Sequence, residues 1–209
     1  MKRKISPPMF ELELQDSTFR NHLSQSRIEA CTFRNEDISY DFSGKEFFEC
    51  RFEYVAFHEM RGCLFADCIF DHCDFSNADF HETVFRRVHM QQCRMTGTDM
   101  SQCTFQDTVL DNCQAVYVNF SASKMKLCQW KETVFREAAM SMCTFADLSV
   151  SRCDFTSAEF LDTSLNKVDL SDSKIGGISV GMKELKGVIM NEEQALACVK
   201  LLGIQLKRQ

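Results

Sequence analysis

The chain has 209 residues, is 44% apolar and 26% charged, and carries a net charge of −6, which suits one domain with a sizeable core. No apolar run approaches the roughly 18 to 20 residues of a membrane helix, and the acidic balance argues against nonspecific nucleic-acid binding. Twelve Cys would suggest disulfides in a secreted protein, but Met1-Lys2-Arg3-Lys4-Ile5 runs into Ser6-Pro7-Pro8 where a signal peptide needs apolar residues. The start therefore reads as cytoplasmic, with free thiols in a reducing compartment.

Residues 1–20 show no period and are expected to form an irregular N-terminal cap. From residue 21 a five-residue period begins. Leu23, Ile28, Phe33 and Ile38 make a first run, and Phe42, Phe47, Phe52 and Phe57 a second, one residue out of step. Phe65 resumes the period after three extra residues, so Met60-Arg61-Gly62 is expected to bulge from an edge as a short loop.

From Phe65 to Ile175 the period is unbroken. Of 23 positions taken every fifth residue, 22 hold a large apolar side chain; Ala115 is the exception. The position two residues earlier holds Cys, Ala, Thr, Val or Ser throughout, and only Leu148 is bulky. Residues two apart on an extended chain face the same way, so both columns point inward. An α-helix would rotate a five-residue period around its axis and bury no fixed stripe. The expected fold is all-β: a right-handed quadrilateral β-helix, four five-residue sides per coil, with a short C-terminal α-helix. Residues 21–180 would give roughly eight coils and a rod on the order of 40 Å long at the strand spacing.

Periodicity fades at Gly176-Gly177, and residues 181–209 are expected to form a C-terminal cap and dimerisation helix. Asn191 suits an N-cap before Glu192 and Glu193, and Gly203 can end the helix. Leu196, Val199 and Leu202 make one apolar stripe, expected both to cap the last coil and to join a second copy end to end.

Eleven of the Cys occupy the small inward column, at spacings unlike a zinc site, so they read as small core residues. The five His lack a Ser-His-Asp or metal spacing, and no phosphate loop is present. No catalytic site, metal or cofactor is expected. Function is therefore placed on the outer surface. The face centred on Phe80, Met100, Phe120, Met140 and Phe160 presents Asp79, Glu82, Asp99, Glu159 and Asp162 with no Lys or Arg, a net of −5. The opposite face comes to −3, and the remaining two to +2 and 0. An elongated acidic surface suits a basic groove.

Cys73-Asp74-Phe75-Ser76-Asn77, Thr96-Gly97-Thr98, Thr163-Ser164-Leu165 and the Glu193-Gln194-Ala195 helix ending at Leu202-Gly203 resemble the quinolone-resistance (Qnr-like) pentapeptide-repeat proteins, most closely the Gram-positive form, across residues 40–206. That resemblance implies a dimer that mimics B-form DNA, binds DNA gyrase or topoisomerase IV and protects it from quinolones. It implies a protein partner and no direct contact with nucleic acid or membrane. The sequence lacks the long loops of the Gram-negative members. An immunity protein against a gyrase-directed toxin, or a scaffold for an unrelated partner, would share the same features.

Overall fold

A computed structural model describes residues 4–38 and 40–199. The chain winds as a parallel solenoid with four sides per coil. Two sides of each coil form continuous strands: β6 (Leu64–Asp71), β7 (Val84–Gln91), β8 (Thr104–Asp111), β9 (Lys124–Lys131) and β10 (Thr144–Ser151), preceded by the shorter β1 (Gln15–Asp16), β2 (Arg27–Glu29), β3 (Cys31–Arg34), β4 (Glu46–Phe48) and β5 (Arg51–Glu53). All pairings are parallel, and from β6 onward the register is twenty residues: Phe65 lies beside Phe85, Phe85 beside Phe105, and Phe105 beside Met125. The other two sides stack through single-residue bridges such as Asp74 with Arg94 and Asp79 with Asp99.

Both predicted inward columns are buried from Phe65, Phe70, Phe75 and Phe80 upward, apart from Phe145 and Leu148. Equivalent rings stack nearly face to face, with Phe65 and Phe85 at 5.4 Å and 9° and Phe85 and Phe105 at 4.9 Å and 6°. Rings on adjacent sides meet edge to face, as do Phe65 and Phe70 at 5.2 Å and 70°. Both are favourable arrangements of the ring quadrupole.

The corners are made by left-handed residues. Asp67, His72, Asn77 and Glu82 have φ between 54° and 60°, and Arg87 and Gln92 continue the series at 53°. Each such non-glycine residue costs roughly 1–2 kcal/mol in isolation. The turn is held because its neighbours are fixed above and below: Asp99 N donates to Ala78 O at 2.9 Å, and Met100 N to Asn119 O at 2.8 Å.

Met60-Arg61-Gly62 does not bulge. Met60 is completely buried, and its N–H donates to Asp79 O at 2.8 Å. Glu59 bridges Asp79, and Gly62, at φ 62°, occupies the corner that Glu82 fills one coil later. The side between Phe57 and Met60 has lost two residues, and five then lead to Phe65. Counting forward in fives cannot separate that loss from a gain of three. The earlier shift falls on the same side, between Ile38 and Phe42, so the first coils repeat at nineteen and eighteen residues: Phe33 beside Phe52, then Phe52 beside Phe70.

The solenoid also outlasts the predicted limit of 180. Asp169 bridges Ile189, Leu165 N donates to Glu184 O at 2.9 Å, and Val180, Leu185 and Met190 pack against the core. On the two strand-bearing sides, however, β10 ends the ladder. It pairs with β9, and among the described residues no strand lies above it. Trp130 sits directly below Val150, and the oversized Leu148 occupies the column held by Cys68, Val88, Thr108 and Cys128. The extra volume keeps the next coil from closing down, and Phe145 and Leu148 remain half-buried.

The ends are closed differently from expectation. At the bottom, Leu23 is exposed, and Phe19, in the 3₁₀ turn Phe19–His22, enters the core at 2% exposure. Its ring contacts Phe33, Phe42, Phe47 and Phe57, one from each side. Residues before it are not only a cap: they continue outward along the rod. At the top, the helix α1 (Glu192–Val199) is N-capped by Asn191 as expected. Asn191 Oδ1 accepts Gln194 N–H, and Gln194 Oε1 accepts Asn191 N–H, both at 2.9 Å, a reciprocal capping box. The residue that closes the last coil is Gln194, whose Nε2 donates to Leu170 O at 2.9 Å and Ser173 O at 2.7 Å. The apolar stripe does not perform this role: Leu196 is 54% exposed, and Val199 is half-buried. Leu202 lies outside the described residues.

Two stability outcomes follow from these plugs. Phe19→Ala is expected to cost about 3–5 kcal/mol, measured by urea denaturation. Gln194→Ala, which takes the side-chain donor from Ser173 O and leaves Leu170 O only the Ser173 N–H, is expected to cost about 1–3 kcal/mol in the same assay; a change within error would mean the last coil closes without it.

Candidate interaction surfaces

The acidic side is a real line of residues. Glu59, Asp79, Asp99, Asn119, Ala139, Glu159 and Ser179 bridge one another in succession along the rod, at about 4.8 Å per coil. Part of each carboxylate is used locally. Asp79 Oδ1 accepts His81 N–H and Asp99 Oδ1 accepts Ser101 N–H, both at 2.9 Å, which shapes the turn. Asp99 also accepts Asn119 Nδ2–H at 3.1 Å, and Glu159 accepts Ser141 Oγ–H at 2.7 Å. Glu82, at a corner, stands free in solvent apart from His81, 3.9 Å away.

This side is not free of cations. The shortened coil brings Arg61 Nε to 3.3 Å from Asp79, and the extra coil brings Lys183 Nζ to 3.4 Å from Asp162. Asp79, Asp99 and Glu159 thus share one line, Glu82 and Asp162 stand at its corners, and Asp79 and Asp162 are partly neutralised.

The corner between the two strand-bearing sides carries a second constellation, which the sequence reading left as an irregular cap. Residues 4–14 run along it from the bottom coil upward. Gln15 N donates to Ala30 O at 2.9 Å. Farther up, Glu11 and Leu12 N–H donate to Glu49 Oε2 at 2.7 and 3.0 Å, Met9 N–H to Asp67 Oδ1 at 3.1 Å, and Ser6 N–H to Asp107 Oδ1 at 3.0 Å. Asp67 and Asp107 are only 7% and 6% exposed. Arg87, at the corner between them, donates from Nε to Asp67 at 2.6 Å and from its terminal nitrogen to the other oxygen, a bidentate pair.

Ile5, Pro7 and Pro8 line one small pocket with Val88, His89, Val109 and Gln129. His89 Nε2 is buried there without a hydrogen-bond partner. Burial holds the imidazole below its ordinary pKa, against the opposing pull of Asp111 and Asp71. The signals for this site were present in the sequence: the chain's only two Pro are adjacent, and Ile69 and Val109 are apolar at outward positions.

Eleven Cys are buried and Cys198 is half-buried. Nine of the buried thiols donate to carbonyls of the coil below, as Cys103 Sγ does to Phe80 O at 3.0 Å. Burial pushes Cys63, Cys103 and Cys128 up to about 12, and Cys143 and Cys153 to about 11. The reactive thiolate is correspondingly scarce.

These coils define the class of fold, a pentapeptide-repeat β-helix, and the family profile described as pentapeptide repeat region matches residues 63–128 of the chain. Among solved structures it is similar to a trypsin-treated variant of QnrB1, a plasmid-mediated fluoroquinolone resistance protein, with 26% identity, a TM-score of 0.58 and coverage of 93% of this chain and 97% of that one. It also shares the fold of HetL from the cyanobacterium Nostoc sp. strain PCC 7120, a pentapeptide-repeat protein involved in heterocyst differentiation regulation, at 14% identity, TM-score 0.52 and coverage of 83% and 95%. No curated protein sequence matches the chain.

In the folded protein at pH 8, Ellman's reagent is expected to modify Cys198 first and the eleven buried thiols only on unfolding. Rapid reaction of several thiols in native buffer would show that the coils open.

Proposed function

We propose that this protein binds a type II DNA topoisomerase, DNA gyrase or topoisomerase IV, and protects it from quinolones. The observation that carries the reading is the full-length similarity to QnrB1, at 26% identity over 93% of the chain. In this reading the protein acts in the cytoplasm as a binding protein rather than an enzyme. A topoisomerase must neutralise phosphates to hold DNA, so its DNA-binding groove is basic. The line Glu59, Asp79, Asp99 and Glu159, with Glu82 and Asp162 beside it, supplies spaced negative charge along a rod, and such complementarity steers association. The rod thereby stands in for the DNA backbone and has no need to bind nucleic acid itself. Leu196 and Val199 on the outer side of α1 supply an apolar contact for a second copy, which would double the length of the mimic.

The test is a gyrase supercoiling assay with ciprofloxacin, titrated with purified protein. The wild type is expected to restore supercoiling, and the triple variant Asp79→Lys, Asp99→Lys, Glu159→Lys to need about tenfold more protein with an unchanged melting temperature. Equal rescue by the variant would remove the acidic side from the mechanism. Absence of rescue by the wild type would overturn the topoisomerase reading.

A further inference from the structure

The corner that holds residues 4–14 has the construction of a ligand site. Its floor is the outward column Ile69, His89, Val109 and Gln129, stacked in register on β6 to β9. An outward column on a solenoid normally carries polar residues, and here two of the four are aliphatic. Its rim is a row of corner carboxylates, Glu49, Asp67 and Asp107, with Arg87 locking Asp67 in place. Toward the arm, the carboxylates address only backbone N–H groups: Ser6, Met9, Glu11 and Leu12 each donate from the main chain. Between these contacts Pro7 and Pro8 line one small pocket together with Val88, His89 and Val109.

That pattern is general for an extended, proline-containing segment. Proline fixes φ and favours the extended polyproline conformation, lowering the entropy lost on docking. It has no N–H, so the donors must come from the flanking residues, and Ser6 and Met9 flank the pair. Each carboxylate reads a backbone amide, which any non-proline residue supplies, so the site selects conformation more than side-chain identity. His89, buried without a partner, leaves one unused polar atom in the floor. An acidic rim further favours a segment with a cation, and Lys4 precedes the docked stretch.

The geometry points to a peptide-binding site on this corner that takes an extended, proline-containing segment of a partner protein, with residues 4–12 of the chain itself as the built-in competitor. The two cannot occupy the corner together, because the arm uses every rim carboxylate. Tethering gives the arm an effective concentration of order millimolar, so a partner segment enters only when its affinity or local concentration exceeds that of the arm. This site is separate from the acidic side and does not depend on the topoisomerase reading.

The test uses the full chain. In the variant Ile5→Asp, Pro8→Asp the arm is repelled by Asp67 and Asp107 while the corner itself is untouched. The probe is a fluorescent 14-residue peptide copying residues 1–14, followed by anisotropy, with circular dichroism confirming that the variant is folded. The variant is expected to bind the peptide at least about tenfold more tightly than the wild type, because the cis competitor is gone. A peptide N-methylated at the Ser6 and Met9 amides should lose that binding.

The unmodified protein supplies a second measurement. Excess unlabelled peptide should displace the arm and speed hydrogen exchange at its Ser6 and Met9 amides. Equal binding by variant and wild type, binding that survives N-methylation, or arm amides unmoved by excess peptide would each overturn the proposal. So would a wild-type dimer in sedimentation that the peptide dissociates, since that would give the corner to the arm of a second copy.

Discussion

The rest of this molecule depends on one backbone arrangement: the N–H of each central inward residue donates to the coil above, and the N–H before it donates to the coil below. Met100 and Asp99 show the pair. Once this holds at four sides per coil, every side chain recurs at the same place one strand spacing higher. Identical rings then stack without any choice of rotamer, as Phe47, Phe65, Phe85 and Phe105 do. The same arrangement explains how so many non-glycine residues hold a left-handed φ. A single such corner is costly, but here each is fixed by hydrogen bonds and by a stacked neighbour in the same conformation.

The periodic part of the fold was legible because the inward columns carry the largest contrast in the sequence. Phe, Met and Leu recur at one position and Cys, Thr and Ala at another, and no helix accommodates that spacing. The irregularities were harder for definite reasons. Met60 was misplaced because a column count records only the sum of two changes, and a lost pair of residues on one side mimics an inserted triplet on the next. Phe19 could not be singled out, since one aromatic residue in an aperiodic segment gives no column to join. Leu148 was visible as an exception, but its effect on the coil above depends on Trp130 beneath Val150, a neighbour twenty residues away.

The surfaces divide in the same way. The acidic line was readable because frame position alone decides which carboxylates share a side. The cations that answer it were not, because Arg61 arrives through the shortened coil and Lys183 through a coil beyond the clear period. The corner site depends on residues far apart in the chain, with Ser6 and Asp107 a hundred and one positions apart. Adjacent prolines and two misplaced aliphatic residues were its only local signs. Neither prolines nor aliphatic residues name a partner until the arm is seen lying across the corner.

The interrupted ladder above β10 has a mechanical consequence. A solenoid behaves as a row of units coupled to nearest neighbours, and its resistance to bending is shared among the sides of each junction. At this junction two sides are bridged, through Asp154 with Lys174 and Glu159 with Ser179, while the two strand-bearing sides are not. The rod is therefore compliant there in one direction: it flexes about the bridged edge, opening and closing the strand-bearing side. Everything above, including α1 and its outward Leu196, moves as one lever on that seam.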